Sequence, residues 1–268
     1  MQKKAVIISA SSDIGRALAT HWSSLGWSVY GTYRTRGKED DALFSRGHLT
    51  FCDILKKDSI RSAAEVLIEQ VGAWDVLVFA AASLDPIGPF LETEFDAWEK
   101  SVELNFLRQM ELLHFLLPYR NLRAELSPTV IFFAGGGTNG AVVNYTSYAI
   151  SKLALTKMCE FLDAEIPDTR FAIIGPGWVK TKIHEATLSA GFAKAGVAYN
   201  KTVEKESWVP MSEVVACCSW VAQSSSPGLG GRNFSVADDA FGTEALERAL
   251  EKDKDMYKLR RGKNSWKP

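Results

Sequence analysis

The chain has 268 residues, of which 46% are hydrophobic and 24% are charged, and its formal net charge is −1. These values are typical of a water-soluble globular protein. A nearly neutral charge provides no field for nucleic acid or for an anionic membrane, so neither partner is expected. No apolar run approaches the roughly 20 residues that span a bilayer, and the N-terminus has no signal-peptide pattern. We therefore expect a cytoplasmic protein.

The four cysteines are Cys52, Cys159, Cys217 and Cys218. They form no C-x-x-C pair, and no histidine lies at metal-ligand spacing from them. Each falls in or beside an apolar stretch of the chain. The sequence therefore predicts buried free thiols and no metal site.

Short apolar runs alternate with amphipathic segments along the chain. The apolar runs predict strands at Ala5–Ile8, Ser28–Tyr33, His48–Cys52, Val76–Ala81, Thr129–Ala134, Phe171–Ile174 and Arg232–Val236. Helical periodicity predicts helices at about Ile14–Leu25, Ser59–Val71, Phe95–Leu117, Ser147–Leu162, Met211–Gln223 and Glu244–Arg260. Strands separated by helices form βαβ units, so the predicted fold class is α/β with a parallel sheet.

The segment Lys182–Ser207 is polar and rich in alanine and glycine, and its periodicity is weak. It is too long for a simple connection and therefore predicts a lid or binding loop. No internal repeat or linker is found. We expect a single domain over residues 1–268, with a lid-like insertion near 182–207 and a helical tail near 244–268.

Tyr148 and Lys152 are four residues apart, so on a helix they project from the same face. A phenol has a pKa near 10 and exchanges protons poorly at neutral pH. An ammonium about 4 Å away favours the phenolate and would tune the tyrosine for acid–base chemistry. The alternative interpretation is a surface lysine one turn from a core tyrosine.

Small or polar residues follow six of the predicted strands. These segments are Ser9–Gly15, Tyr33–Arg34, Asp53–Ile54, Ala80–Ala82, Ala134–Thr138 and Pro176–Thr181. In an open parallel sheet, ligands bind beyond the carboxyl ends of the strands. The first segment leads into a helix N-terminus, whose free N–H groups and dipole favour a phosphate.

With these motifs in order, the chain resembles the short-chain dehydrogenase/reductase family over roughly residues 5–240. The family's T-G-x-x-x-G-[IL]-G turn corresponds to Ile8–Gly15, and its Y-x-x-x-K pair to Tyr148 and Lys152. Its P-G-x-[VI]-x-T motif is matched in full by Pro176–Thr181. The remaining correspondences are Asp53 for the acidic residue after the third strand, Phe79–Ala82 for N-N-A-G, and Asn105 for the helix asparagine.

The resemblance implies a Rossmann-type doubly wound parallel sheet of about seven strands, with helices on both faces. It implies that Tyr148 exchanges a proton with the substrate oxygen, while Lys152 lowers the Tyr148 pKa and binds the nicotinamide ribose. Asn105 would hold a water in a proton relay. The residues implied at the cofactor are Ser9, Ser11, Ser12, Asp13, Ile14, Arg34, Asp53, Ile54, Ala80, Ala81, Tyr148, Lys152, Pro176, Gly177, Val179 and Thr181.

The first departure from the family pattern is in the turn, where Ser9 and Asp13 replace two glycines. Glycine there allows a positive φ and close approach to the pyrophosphate. We interpret Asp13 as the N-cap of a helix that starts at Ile14, with Ser11, Ser12 and Arg16 compensating at the phosphates. This predicts an altered but retained cofactor site, with a lost site as the alternative.

The second departure is at the catalytic serine, whose position is occupied by Gly135. That serine helps to polarise the substrate carbonyl, and the loss of one such donor can cost about 10²–10³ in rate. Thr138 is the nearest hydroxyl that could replace it, and the backbone of Gly135–Gly137 is an alternative. The third departure is the change from N-N-A-G to Phe79–Ala82, which still has small residues at the end of the fourth strand.

The residue that ends the second strand commonly selects the cofactor, because a carboxylate there repels a 2′-phosphate and an arginine accepts it. Tyr33 occupies the carboxylate position and is followed by Arg34 and Arg36, and the first acid is Glu39. This favours NADP(H) over NAD(H). The alternative interpretation is that Arg34 and Arg36 are simply part of a solvated loop and do not select the cofactor.

The leading hypothesis is that the protein is an NAD(P)-dependent oxidoreductase that acts on a small carbonyl or alcohol. Its catalytic residues would be Tyr148, Lys152, Asn105 and Thr138. The rival is a non-catalytic nucleotide-binding protein of the same fold, which the missing serine favours. Trp178 and the lid suit a polar or anionic substrate, such as a sugar or sugar derivative, better than a steroid. A solvated lid, with His184 at the surface, explains the same residues equally well. The resemblance also implies a homodimer or homotetramer.

Overall fold

The computed structural model of the protein describes residues 2–37, 48–204 and 208–262. Seven strands form one parallel sheet in the order β3-β2-β1-β4-β5-β6-β7. The strands are β1 Lys4–Ile8, β2 Ser28–Tyr33, β3 Leu49–Phe51, β4 Val76–Phe79, β5 Thr129–Phe133, β6 Arg170–Gly175 and β7 Arg232–Ser235. The predicted parallel sheet is confirmed, and its strand ends lie within two residues of the predicted ones.

Helices cover both faces of this sheet. They are α1 Asp13–Ser24, α2 Lys57–Val71, α3 Phe95–Val102, α4 Arg108–Leu116, α5 Thr146–Glu165, α6 His184–Ala195, α7 Val197–Glu204, α8 Met211–Gln223 and α9 Glu244–Lys252. Alternate residues of β1 enter two separate apolar cores, Ile7 on one face and Ile8 on the other. Because strand side chains alternate between faces, an all-apolar strand requires this cover on both sides.

The connections reverse direction at β1, which lies between β2 and β4. The chain first builds outward from β1 to β3 and then returns to build β4 to β7 on the other side. The carboxyl ends of β1 and β4 therefore border a crevice that no crossover helix fills. In open α/β sheets, ligands bind at such a switch point.

The predicted single helix Phe95–Leu117 is wrong in its middle, where the π-helical turn Glu103–Leu107 separates α3 from α4. Asn105 donates from its side-chain amide to the Ser101 carbonyl at 3.0 Å, the oxygen that an α-helix would use for the backbone N–H of residue 105. Arg108 N–H instead bonds the Glu103 carbonyl, five residues earlier. A π turn within a helix frequently marks a functional position.

The C-terminal helix is shorter than predicted and ends at Lys252 rather than Arg260. Asp253 ends it, because its carboxylate accepts the N–H groups of Asp255 and Met256. The following segment lies against β7, where Asn233 N–H donates to the Tyr257 carbonyl at 2.9 Å. The helical periodicity of this tail therefore reflects packing on the sheet edge.

The lid segment consists of α6 and α7, and its last residues, 205–207, lie outside the described residues, as do Glu39 and the tail beyond 262. Gly196 joins the two helices with a φ of 55°. All four cysteines are buried free thiols, as predicted. None of the helices in the described ranges has the length and apolar character needed to cross a bilayer.

Candidate active site at the carboxyl edge of the sheet

The turn after β1 keeps the backbone shape of a glycine turn although serine replaces the glycine. Ser9 has a φ of 65°, in the left-handed region. Its N–H donates to Thr32 Oγ1 at 2.9 Å, and Ala10 N–H donates to the Thr32 carbonyl at 2.7 Å. A Cβ atom on Gly15 would lie 2.5 Å from the Ser9 carbonyl oxygen, so α1 packs against this turn only with glycine there.

The N-cap of α1 is Ser12 rather than Asp13, and the helix begins one residue earlier than predicted. Ser12 Oγ accepts the N–H of Gly15 at 3.1 Å, which is the ordinary bond of a serine N-cap. Asp13 is thereby the first helical residue, where a carboxylate complements the helix dipole. Its Oδ2 accepts the backbone N–H of Lys182 at 2.7 Å and links the turn to the start of the lid.

The residues predicted beside the adenosine lie at the neighbouring strand ends. Asp53 accepts the Leu55 N–H at 3.3 Å and lies 3.5 Å from the Lys56 ammonium. Ile54 is buried, as is Ala81, whose carbonyl accepts the Gln109 side chain at 3.0 Å. Ala80 N–H bonds the Ile8 carbonyl and completes the pairing of β4 with β1. Arg34 is exposed after β2, and the Arg36 guanidinium lies 5.8 Å from the ring centre of Tyr33.

Tyr148 and Lys152 lie one turn apart on α5, with the Lys152 ammonium 5.6 Å from the Tyr148 ring centre. Both side chains pack against Gly135, which follows β5. A Cβ atom on Gly135 would lie 2.6 Å from Cε1 and 2.8 Å from Oη of Tyr148, and 2.9 Å from Cγ of Lys152. The tyrosine ring therefore uses the space that any side chain at position 135 would need.

Burial dominates the electrostatics of this pair. It raises the pKa of Tyr148 to about 12 and lowers the pKa of Lys152 to about 8. The expectation that Lys152 depresses the Tyr148 pKa is wrong for the protein chain by itself, because desolvation disfavours the charged form of each group. Lys152 is only 2% exposed, and Tyr148 is half-buried and packs against the same apolar cluster as the lid residues Ile183 and Ala186.

Asn105 is fully buried, and its amide group bonds the loop after β4. Its Oδ1 accepts the Ser83 N–H at 3.1 Å, and its Nδ2 donates to the Ser83 carbonyl at 2.9 Å and to the Ser101 carbonyl at 3.0 Å. Both amide protons are used in these bonds, so only the oxygen has an acceptor position left for a water. The water relay implied for this residue stays a prediction.

Thr138, the hydroxyl considered as a substitute for the missing serine, is half-buried in the loop after β5. Among the described residues its side chain makes no hydrogen bond, whether to Tyr148 or to any other group. Gly137 beside it has a φ of 112°, and a Cβ there would touch Ala149 on α5 at 3.5 Å. The glycine run thus lets the loop lie close to the first turns of α5.

The segment after β6 follows the predicted motif closely. Gly177 has a φ of 72°, and a Cβ there would lie 2.7 Å from Val209 Cγ2. Val179 is buried, and its carbonyl lies 3.0 Å from Nε2 of His184 and 3.4 Å from Oγ1 of Thr181. Pro176 precedes the glycine at the end of the strand.

His184 differs from its expected surface position. Its ring lies tilted at 4.6 Å from Trp178 and edge-on at 5.1 Å from Trp208, centre to centre. Burial lowers the pKa of this imidazole below its ordinary value. No periodic signal predicts this contact, because the two tryptophans are 30 residues apart in the chain. The bond from Val209 N–H to the Trp178 carbonyl, 2.7 Å long, holds the two segments together.

A cleft of about 360 Å³ lies between the loop after β4 and the lid. Its lining is mostly polar and includes Ser83, Asp85, Lys182, Glu185 and Ser189. Tyr148 is not among the residues that line this cleft. Sequence reasoning did not identify Ser83 or Asp85, since neither belongs to a motif.

The strand order and the turn after β1 are typical of doubly wound α/β proteins that bind nucleotides. Comparisons with known proteins identify the family. Residues 8–238 match the family model described as Enoyl-(Acyl carrier protein) reductase. A curated relative from Arabidopsis thaliana, named short-chain dehydrogenase/reductase SDRA, is 25% identical over 245 residues, which is 88% of this chain and 93% of the relative. The chain belongs to the short-chain dehydrogenase/reductase family of oxidoreductases.

Solved structures show the same fold. The ligand-free aldohexose dehydrogenase of Thermoplasma acidophilum superposes with a TM-score of 0.74 at 16% identity, over 90% of this chain and 97% of that one. A short chain dehydrogenase of Shigella flexneri complexed with NADP superposes with a TM-score of 0.73 at 18% identity, over 87% and 96% of the two chains.

Proposed function

We propose that the protein transfers hydride between a nicotinamide cofactor and a small carbonyl or alcohol, with Tyr148 as the acid–base group. The observation that carries this proposal is the packing of Tyr148 and the buried Lys152 on Gly135, beyond the carboxyl end of β5. A buried ammonium is costly and is retained mainly where it has a chemical use. Family membership supports an oxidoreductase reaction.

The residues at the sheet edge fit a dinucleotide. The turn after β1 retains the glycine conformation at Ser9 and the close helix contact at Gly15. The first-turn N–H groups of α1, at Asp13 and Ile14, have no acceptor within the helix and can bind a phosphate. The Asp13 carboxylate opposes an anion there, but it already accepts the Lys182 N–H.

When bound, the nicotinamide supplies or accepts the hydride. At neutral pH Tyr148 is protonated, since its pKa is raised to about 12, and it is ready to donate its proton to a carbonyl oxygen. Lys152 has a pKa near 8 and can restore that proton across neutral pH. Asn105 fixes the loop at Ser83 and so positions one wall of the substrate cleft.

No serine hydroxyl faces Tyr148 from position 135, so another donor must polarise the carbonyl. We assign this role to backbone N–H groups of the Gly135–Gly137 run, with Thr138 as the alternative. The close contact between Gly135 and the tyrosine ring favours the backbone, since it brings the loop next to the phenol oxygen. Backbone N–H groups serve as such donors in the oxyanion holes of acyl-transfer enzymes.

We further propose that NADP(H) is preferred. Arg34 is exposed at the end of β2, where an arginine can accept a 2′-phosphate. The NADP complex of the Shigella flexneri relative supports a nicotinamide cofactor of this kind. The Arg34→Ala variant should weaken NADPH binding by about tenfold and leave NADH binding unchanged.

The rival function is nucleotide binding without catalysis. It is favoured by the raised pKa of Tyr148 and by the absence of the serine side chain. Fluorescence titration with NADPH and NADH, followed by turnover of a carbonyl panel, distinguishes the two functions. Saturable NADPH binding with cofactor oxidation supports the enzyme, binding without oxidation supports the rival, and no binding of either cofactor contradicts both.

We also propose that copies of the chain associate through α3 and α5. Large apolar side chains remain exposed on or beside these helices, among them Phe95, Ile150 and Phe161 at 49–63% exposure. Exposed apolar surface of this kind is typical of association sites. Light scattering should give a dimer or tetramer, and a monomer for Phe161→Glu; a monomeric native protein would contradict this assignment.

A further inference from the structure

Three aromatic side chains form a cluster at the end of β6, here called the Trp178–His184–Trp208 cluster. The ring centres lie 4.6 Å apart for Trp178 and His184, 5.1 Å for His184 and Trp208, and 6.4 Å for the two tryptophans. The members come from the segment after β6, the first residue of α6 and the segment before α8. The cluster therefore joins the sheet edge to both ends of the lid.

Each of the three rings has a polar atom without a partner. Nε1 of Trp178, Nε1 of Trp208 and Nδ1 of His184 are all inaccessible to solvent and form no hydrogen bond with any described residue. A buried polar group that is left unpaired costs about 1–3 kcal/mol. Other indoles of this chain are paired when buried, such as Trp22 with Ser219 and Trp74 with the Leu116 carbonyl. Three unpaired nitrogens in one cluster indicate a site whose partner lies outside the described residues.

The chemistry of the three nitrogens selects the class of partner. Nε2 of His184 lies 3.0 Å from the Val179 carbonyl, and a carbonyl only accepts, so Nε2 bears the proton. Because burial keeps this imidazole neutral, Nδ1 is an acceptor. Each indole N–H is a donor. The cluster thus offers two donors and one acceptor, with no cation.

A carboxylate suits the two indoles but would place its charge against the Nδ1 lone pair. A hydroxyl group both donates and accepts, so it can pair with any of the three nitrogens. Several hydroxyls on one carbon skeleton can reach nitrogens on rings 4.6–6.4 Å apart, while the C–H faces of that skeleton pack on the indoles. A carbon chain with a single polar group leaves two of the nitrogens unpaired.

We propose that the Trp178–His184–Trp208 cluster is a binding subsite for a polyhydroxylated substrate, such as a sugar or sugar alcohol. The substrate role rests on the proposed function, whereas binding of hydroxyl compounds at the cluster does not require turnover. The cleft beside the lid also has polar lining residues, among them Ser83, Asp85 and Ser189. The lid residue His184 would then select for hydroxyl groups.

The test is a titration of the indole ¹⁵N–¹H resonances with D-glucose, with glycerol and, as a control, with butyrate. Trp178→Phe and Trp208→Phe assign the two cluster resonances. Trp220 serves as an internal control, because its Nε1 already donates to Glu247 at 2.6 Å. We expect saturable shifts of the Trp178 and Trp208 resonances with D-glucose or glycerol, and none with butyrate or at Trp220.

His184→Gln keeps a donor for the Val179 carbonyl but removes the Nδ1 acceptor, so it should weaken D-glucose binding about tenfold. If neither hydroxyl compound shifts the two resonances, the cluster binds water only and the proposal is wrong. Equal shifts with butyrate, or unchanged affinity in His184→Gln, also overturn it. Because the readout is binding, these results are independent of whether Tyr148 catalyses hydride transfer.

Discussion

The turn after β1 and the loop after β5 have both lost a residue that the family pattern contains, but they respond in opposite ways. At the turn, Ser9 replaces glycine and the backbone keeps the glycine conformation, with a φ of 65°. At the loop, glycine replaces serine, and the Tyr148 ring packs into the space above Gly135. The first substitution preserves the geometry at a conformational cost, and the second changes the geometry around the reactive pair.

A turn can therefore lose the residue of a motif and still keep the backbone conformation of that motif. Hydrogen bonds from Ser9 and Ala10 to Thr32 hold the turn regardless of the missing glycine. No equivalent constraint holds the Tyr148 ring in the position that a serine would impose. The turn after β1 therefore keeps the backbone conformation of a glycine turn, while the Tyr148 ring occupies the space that a side chain at position 135 would need.

The largest effect should come from Lys152→Met, which tests the reactive pair beside the loop after β5. We expect turnover to fall at least a hundredfold, because Tyr148 loses the group that restores its proton. The same variant should be more stable than the native protein at neutral pH. A pKa lowered from 10.5 to about 8 corresponds to about 3 kcal/mol of destabilisation while the amine is charged.

The lowered pKa of Lys152 also sets the sign of its effect on the pH dependence of stability. Between pH 8 and 10.5 the Lys152 side chain binds more protons in the unfolded chain than in the folded one, so its contribution to native stability should rise over this window. The buried thiols of Cys52 and Cys217 act in the opposite direction, because burial raises their pKa values. Lys152→Met should therefore lack the rising contribution, whereas the control Lys157→Met, on the partly exposed side of α5, should follow the native protein. Chemical denaturation across this pH range measures the difference between the variants; the same pH dependence in Lys152→Met and the native protein would refute the assignment.

The next effect in size should come from Gly135→Ser, which restores the family residue. Its Cβ would lie 2.6–2.9 Å from atoms of Tyr148 and Lys152, so both side chains must shift. We expect a loss of about 1–3 kcal/mol in the free energy of unfolding, together with a changed rate. Gly140→Ser is the matched control, because no atom lies within 4 Å of its added Cβ. An unchanged melting temperature for Gly135→Ser would show that the tyrosine moves aside freely.

The smallest effect should come from Ser9→Gly at the turn. Removing the left-handed strain gains about 1–2 kcal/mol, and the added flexibility of the unfolded chain costs about 0.5–1 kcal/mol. The variant should therefore be more stable by about 0.5–1 kcal/mol in thermal unfolding. Ser11→Gly, with no positive φ to relieve, should be less stable than the native protein. Destabilisation by Ser9→Gly would contradict the strain assigned to this turn.

Much of the fold could be predicted because the signals are local. The apolar runs located all seven strands, and β2 and the helix Met211–Gln223 were predicted at their observed bounds. The π turn was missed because it arises from the side-chain bond of Asn105 to Ser101, which periodicity does not encode. The C-terminal helix was overextended because packing on the sheet edge produced the same spacing of apolar residues.

The site was predicted only where a motif carries it. Tyr148 and Lys152 lie one turn apart on α5, as their spacing in the chain predicted, and Asn105 lies in the π turn between α3 and α4. The pKa values of Tyr148 and Lys152 depend on burial, which the sequence does not reveal. The Trp178–His184–Trp208 cluster depends on a contact between distant segments, and no local pattern distinguishes it from a solvated lid.

We propose above that Tyr148 donates the proton that accompanies hydride transfer. The most direct measurement uses NADPH labelled with deuterium at the transferred position and follows the label into a carbonyl substrate. We predict labelled alcohol with the native protein, and at least a hundredfold less with Tyr148→Phe, which should still bind NADPH. Equal transfer of the label by native protein and Tyr148→Phe would contradict the account.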